Sequence, residues 1–487
     1  MAWACFLLLL FEAVTMDQLI SDLGQIVGPR HVLTGTDMAR YSTDWLHQYQ
    51  WQPRAIIRPA TTEQVSEVVK LANRLKIPLV PMGGNTGLAG GTCGEAALVL
   101  SLERMAAIRE IRPKSKVAIV EAGVILSNLH AAADAEDLLF PLTFGARGSA
   151  TLGGVLSTNA GGSNVLRYGN TRDLCLGLEV VLPNGEIMNL MSELHKDNSG
   201  YNLKHLMIGA EGTLGIITAA VMKLQAKPKV YATAMIATTS LASALTLLND
   251  LQHATGGAVE AFEYMPGFYM EQHQKLFPNA RQPFAQVHDT NILVELASTS
   301  ADLAAQDVTG QPKLMQHFET LLATHLEAGA ILDAVVAQNQ AQRVAFWERR
   351  EQAAEVTASH PRLVNNDIAL PLESVAAFLD QMKTRLAEID PQAEALLVSH
   401  LGDGNVHYAV WPASHDKAVQ DDIMEAVEDV TLSMGGSFSA EHGIGLTKLP
   451  SMRRRKNKAA LQVMRAIKHS LDPNNIMNPG KVVPAAD

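Results

Sequence analysis

Residues 399–407 read SHLGDGNVH, and residues 440–445 read AEHGIG. Imidazole is both the commonest metal ligand and the side chain whose ordinary pKa suits proton transfer near neutrality. Two histidines around a glycine-rich knot therefore point to a metal site or a proton-transfer site. The flanks ALLVSH and VHYAVW are β-like, and Asp403-Gly404 between them favours a two-residue type I′ hairpin turn. With that turn Gly402 faces Asn405, Leu401 faces Val406 and His400 faces His407. Directly opposite residues on one face bring their Cβ atoms to about 4.5–5.5 Å, close enough for two imidazoles to share one ion. Two histidines alone leave a divalent ion under-coordinated.

The elements that must position these residues alternate short β-rich runs with helical patterns, without a repeat of fixed period. RAIIRPA, then TTEQVSEVVKLANRLKIPLVPMGG, predicts a strand, a helix with Thr62 as N-cap and a second strand, a βαβ unit. The second strand runs into GGNTGLAGGT (83–92), where the density of glycine offers bare amides to an anion, most simply a phosphate, or else forms a plain surface turn. Two further segments rich in glycine and small polar residues follow, GARGSATLGGVLSTNAGGSNVLRYGNTRD (145–173) and IGAEGTLGIIT (208–218). Three such loops suggest one long ligand. Neither GxGxxG nor GxxxxGK[ST] is present, which disfavours a nicotinamide cofactor on a doubly wound sheet and a nucleoside triphosphatase and leaves a flavin dinucleotide bound in another way.

Composition sets the outer bounds. The 487 residues, 47% hydrophobic and 18% charged, suit two or three globular domains. A formal charge of −11, with no basic stretch longer than Arg453–Lys456, lacks a nucleic-acid footprint. That basic run predicts a solvated helix face, with a docking patch for an acidic partner or an anionic membrane as the sharper alternative. Cys5, Cys93 and Cys175 form no CxxC, which argues against a disulfide framework, a thiolate zinc site and an iron–sulfur cluster. The apolar run Phe6–Phe11 is too short to span a bilayer and has no basic residues before it, so an upstream extension (1–15) before a working start at Met16 is expected, in a cytoplasmic protein, with a peripheral membrane position and secretion left open.

PMGGNTGLAGG, GGVLSTNAGG, RYGNTRD, AEGTLGIIT, SHLGDGNVH, AEHGIG and the closing NPGK together resemble the FAD-linked oxidases of the vanillyl-alcohol-oxidase type, within them the D-2-hydroxyacid dehydrogenases, over most of the chain from Arg54 to Lys481. The resemblance implies an α+β fold: a two-subdomain FAD-binding domain of the PCMH type (16–228), a cap or substrate domain with an antiparallel sheet (229–440) and a segment returning to the flavin (441–487). It implies that Pro81, Gly83, Gly84, Asn85, Thr86, Gly87 and Leu88 hold the pyrophosphate. Ser149, Gly153, Gly154, Asn159, Gly161, Gly162, Ile217 and Asn478 would line the rest of the FAD. Related branches attach flavin through a histidine or cysteine near these loops; none of the loops contains histidine and Cys93 lies beyond the turn, so the FAD is expected to be non-covalent. Glu441 is implied as the third metal ligand beside His400 and His407, and two imidazoles with one carboxylate suit zinc first, manganese or iron(II) next. Arg350 falls at the position that holds the substrate carboxylate, while Arg349 is expected on a solvated helix face and Glu348 and Glu351 at the surface or supporting Arg350 from behind. His442, on the other side of an extended stretch from Glu441, suits a general base.

The implied reaction oxidises a D-2-hydroxy acid to the 2-oxo acid, with hydride passing to FAD and electrons to an external acceptor: an electron-transferring flavoprotein, a quinone or a cytochrome. A homodimer is compatible with it. Where 2-hydroxyglutarate members carry asparagine and lysine, this chain has Ala409 and Asn365, which removes a cationic partner for a distal carboxylate. D-Lactate, glycolate or a larger apolar acid is therefore expected, with D-2-hydroxyglutarate as the alternative. A zinc hydrolase with a nucleotide-binding domain, and a flavin subunit that only relays electrons, are the readings from other classes.

Overall fold

The computed structural model describes residues 15–308 and 310–486. The apolar run Phe6–Phe11, and with it the expected extension before Met16, lies outside the described residues. Helix Met16–Val27 begins where its amphipathic pattern begins, because the Thr15 hydroxyl accepts the Gln18 amide at 3.2 Å. No helix among the described residues is long and apolar enough to cross a membrane.

The βαβ unit forms as Ala55–Ile57, Thr62–Leu75 and Leu79–Met82, but its two strands do not touch: Leu98–Ser101 lies between them, parallel to both. All four side chains of that inserted strand are buried, as a strand covered on both faces requires. The N-cap is Thr61 rather than Thr62. Thr61 accepts the Gln64 amide, whereas the buried Thr62 spends its hydroxyl on Glu179 Oε1 at 2.6 Å, a contact across the fold that local sequence does not display.

A second sheet is fully antiparallel, in the order Ile108–Arg112, Val117–Glu121, Ile216–Lys223, Cys175–Val181, Ile187–Leu190. The largest sheet has seven strands, also all antiparallel: Ile331–Val336, Val230–Thr238, Thr290–Ser298, Val259–Pro266, Glu394–His400, Asn405–Trp411 and Val364–Ala369. Helices pack on both faces of it, and on one of them Phe378 is fully buried edge-on to Tyr408, their ring centres 5.4 Å apart. Phe378→Ala is expected to cost about 3–5 kcal/mol through the cavity it leaves. A denaturation midpoint that hardly moved would show that the helical layer collapses to fill it.

The chain end turns back onto the first sheet, where Leu79 N–H donates to Ile476 O at 2.7 Å and Asn478 N–H donates to Leu79 O at 2.8 Å. NPGK is thereby pinned beside the strand that leads into the first glycine loop.

Candidate active site

The two histidine strands form the expected hairpin in a different register. His400 pairs with Asn405 and His407 with Val398, so the loop holds four residues, Leu401–Gly404, and not two. A type I′ turn needs positive φ at both central positions; here Gly404 alone has it, at +81°, with Leu370 O against the place a Cβ would occupy. The longer loop follows from packing: Leu401 is fully buried and Gly402 donates to Phe262 O at 3.1 Å on the neighbouring strand. His400 and His407 are thus diagonal neighbours on one face. Diagonal neighbours remain within reach for long side chains, and the rings meet with centroids 5.2 Å apart.

Glu441 joins them. Its Oε1 lies 3.8 Å from His400 Nε2, and the ligand atoms of His400, His407 and Glu441 all fall within 4.8 Å of one another. Burial pushes the Glu441 carboxyl up to about 7, and burial together with the neighbouring His400 keeps His407 well below its ordinary value. Burial also opposes charge on His400, yet the Glu263 carboxylate, 2.8 Å from Nδ1, outweighs it and raises His400 to about 9. A carboxylate that holds Nδ1–H in this way fixes the tautomer and makes Nε2 a better donor to a cation. The donor set fits a small divalent metal such as zinc.

AEHGIG is a bend rather than an extended stretch, so Glu441 and His442 do not point to opposite sides. Both reach the neighbourhood of His407, on which the His442 ring stacks at 5.5 Å. What bends the segment is Asp367. Its Oδ2 accepts the backbone N–H groups of Ala440, Glu441 and His442 at 3.2, 2.8 and 2.9 Å, and Oδ1 accepts Asn405 Nδ2 at 2.9 Å. Asp367 is 1% exposed; burial works against its charge, and His442, Lys448 and His407 outweigh that, holding it far below the carboxylate range. Glu211 grips the same loop from the other half of the chain, accepting Ile444 and Gly445 N–H at 2.7 and 2.8 Å. Lys448 closes the loop through Ser439 Oγ at 2.9 Å.

The glycine segments converge on this loop. Leu446 N–H donates to Ala89 O at 2.8 Å, and Glu211 N–H donates to Ser157 O at 2.8 Å. A Cβ at Gly161 would lie 2.7 Å from Glu441 Oε1, so the second glycine segment abuts the metal-ligand set. Between the first and second segments the backbones touch: a Cβ on Gly84 would land on the Ser149 carbonyl oxygen. Among the described residues of these segments and the closing NPGK, Thr151 Oγ1 beside Gly83, Arg172 Nε and Asn478 Oδ1 are buried without a protein partner, although Asn478 Nδ2 is spent on Gly91 O and Glu211 O. Orphaned polar atoms beside close-packed glycine backbone are the surroundings that a long polar cofactor such as FAD satisfies. Gly84→Ala is expected to lose bound flavin and about 1–3 kcal/mol of stability by overpacking; the flavin-to-protein absorbance ratio and the melting temperature check it.

Arg350 is 7% exposed and donates from Nε to Glu263 Oε2 at 2.7 Å, with Nη2 at 3.4 Å from the His400 ring. Glu263 thus ties the carboxylate-binding candidate to a metal-ligand candidate. Arg349 departs from expectation, being 2% exposed and held against His273 and Arg281 O: about 100° round the helix from Arg350 it faces helix Gly267–Leu276 and the turn after it rather than solvent. Glu348 and Glu351 stay exposed. The Arg453–Lys456 run is a largely solvated helix end, as expected, on which Arg454 and Arg455 are engaged by Glu425, Glu428 and Asp429.

Glu263, Asp367, Glu211 and Lys448 escaped the sequence reading. For the first two a signal existed: VEAFEYMP and VNNDIA are strands whose carboxylates interrupt apolar residues, and a charge at a buried strand position implies a partner. Glu211 and Lys448 carry no such mark.

Comparison with known proteins bears on the whole chain. Residues 53–191 match the family model described as FAD binding domain, and residues 227–482 match the C-terminal domain of FAD linked oxidases. A D-2-hydroxyglutarate dehydrogenase of Xanthomonas citri pv. viticola is 35% identical over 93% of this chain and 93% of its own length. One of Stutzerimonas stutzeri is 33% identical over 97% of this chain and all of its own. Among solved structures, p-cresol methylhydroxylase superposes with a TM-score of 0.72 at 15% identity, covering 96% of both chains, a likeness of fold.

Proposed function

The chain belongs to the FAD-linked oxidases, and from that premise we propose that it oxidises a D-2-hydroxy acid to the 2-oxo acid and hands the electrons to an external acceptor. The observation that carries the reading is the contact between Gly161 and Glu441: the flavin-side loop and the carboxylate of the candidate metal site share one wall. FAD held by the glycine loops supplies the hydride acceptor, and a zinc, manganese or iron(II) ion on His400, His407 and Glu441 supplies Lewis acidity to the hydroxyl. With no histidine in those loops and Cys93 beyond the turn, the FAD is non-covalent.

The protein groups do the rest. Arg350 holds the substrate carboxylate through its Nη atoms while Nε stays on Glu263. His442 takes the hydroxyl proton as the C2–H bond releases its electron pair. Asp367, 3.8 Å from His442 Nδ1, favours the proton on Nδ1 and leaves Nε2 as the base. In this reading residues 16–228 hold the flavin, 229–440 cover it and carry the substrate, and 441–487 return to the flavin side. The electrons leave to an electron-transferring flavoprotein, a quinone or a cytochrome.

Asn365 and Ala409 are direct cross-strand partners, two residues beyond Asp367 and His407 on the same face. Neither offers a cation, which supports D-lactate, glycolate or a larger apolar acid. The names of the relatives favour D-2-hydroxyglutarate as the second reading. An anaerobic absorbance titration of the purified protein decides between them. The expected result is bleaching of the flavin band by one D acid and by none of the L enantiomers, abolished by a chelator and restored by zinc, manganese or iron(II). Bleaching only by D-2-hydroxyglutarate overturns the substrate preference; bleaching that survives complete removal of metal overturns the metal's role.

A further inference from the structure

A guanidinium stays charged throughout the physiological range, and buried charges are ordinarily matched by a counter-charge. Arg349, 2% exposed, has no carboxylate within ion-pair distance among the described residues. Its Nη1 meets His273 Nδ1 at 3.2 Å and, at the limit of a hydrogen bond, Gln282 Oε1 at 3.5 Å; its Nη2 donates to Arg281 O at 2.6 Å. Nε is buried without an acceptor. His273 adds no negative charge: Nε2 donates to Gln352 Oε1 at 2.7 Å and Nδ1 accepts from Arg349, so the ring is neutral.

Against this group lies a cavity of about 490 Å³ between helices Gly267–Leu276 and Gln340–Glu351 and the turn that follows the first of them, with Arg349, His273 and Gln352 in its wall and the exposed Arg281 and Glu348 offsetting one another among its lining residues. That volume lies in the range of small-molecule sites. We propose that this cavity binds a small oxyanion, a carboxylate or a phosphate, seated on Arg349 and apart from the substrate site. A planar guanidinium offers such an oxyanion two parallel hydrogen bonds. Arg349 and Arg350 are consecutive on one helix, and the Tyr269 hydroxyl holds Arg349 O at 2.6 Å, so an anion here steadies the segment that presents Arg350.

The flavin-loaded protein is tested with sodium phosphate and with sodium acetate, each against sodium chloride at equal ionic strength, by thermal denaturation and titration calorimetry. A saturable rise of about 2 °C at tenfold excess over Kd is expected with one of the two. Phosphate alone would identify a phosphate-bearing ligand and acetate alone a carboxylate. Arg349→Gln is expected to abolish the effect. Because that variant can fail to fold, Ala345→Glu, which adds a second carboxylate to the cavity beside Glu348 and leaves no net positive charge among its lining residues, is the companion: it keeps hydroxy-acid turnover and loses the anion response. A response unchanged in Ala345→Glu, or no greater than that to chloride, overturns the proposal. Neither readout requires turnover, so its failure is separate from failure of the proposed reaction.

Discussion

Asp367→Ala removes turnover, lowering kcat/KM by about 10²–10⁴, although Asp367 is absent from the predicted ligand, base and carboxylate-binding residues. Its carboxylate sets the path of the chain through Ala440, Glu441 and His442, and its loss leaves the Glu441 and His442 N–H groups without their acceptor, while Ala440 N–H keeps the Asp367 carbonyl and Asn405 Nδ2 keeps Ile368 O. Each unsatisfied buried donor costs about 1–3 kcal/mol, and the loop relaxes rather than bear that cost. Glu441 then leaves His400, and His442 leaves His407. The expected result is loss of metal, measured by elemental analysis, together with loss of activity, while the flavin spectrum persists because the glycine loops are untouched. Asp367→Asn keeps an acceptor oxygen and is expected to retain more of both. Full metal content in the alanine variant would sink this account and leave Asp367 as a partner of His442 alone.

Arg350→Lys keeps the charge and loses the fork. The substrate carboxylate is held by Nη donors whose direction is set by the Nε bond to Glu263, and a lysine cannot satisfy both carboxylates at once. KM is expected to rise by about 10²-fold or more, equivalent to about 2–5 kcal/mol for a buried charge-assisted contact, with a smaller change in kcat. Steady-state kinetics with the preferred acid checks it. An unchanged KM would mean that Arg350 only neutralises Glu263 and that the carboxylate is held elsewhere. Glu263→Gln separates the two roles of that residue: it frees the Arg350 Nε donor and weakens the hold on His400 Nδ1, so metal content is expected to fall along with affinity for the acid.

Both predictions rest on carboxylates that the motifs do not contain, and this marks where the sequence stopped being sufficient. Short-range patterns carried the elements. Helix Met16–Val27, the βαβ strands and helix, and the two histidine strands follow from periodicity and turn residues within a few positions of one another. The glycine segments were legible as ligand loops because glycine density has few other uses, and the motif order identified the family that the comparisons then showed.

What the tertiary structure decided is register and pairing. Asp403-Gly404 reads locally as a two-residue turn, yet burial of Leu401 and the bond from Gly402 to Phe262 O lengthen the loop and move His400 from opposite His407 to its diagonal. Arg349 and Arg350 are adjacent and chemically identical in sequence; only the position of Glu263 on a neighbouring strand gives one of them a counter-charge and leaves the other buried without one. The physical reason is one of range. Residue type and spacing fix what a segment prefers over a few residues, whereas the partner of a buried charge comes from whatever strand the fold lays beside it: Glu263 reaches His400 across 137 positions of chain, and Glu211 reaches Ile444 across 233.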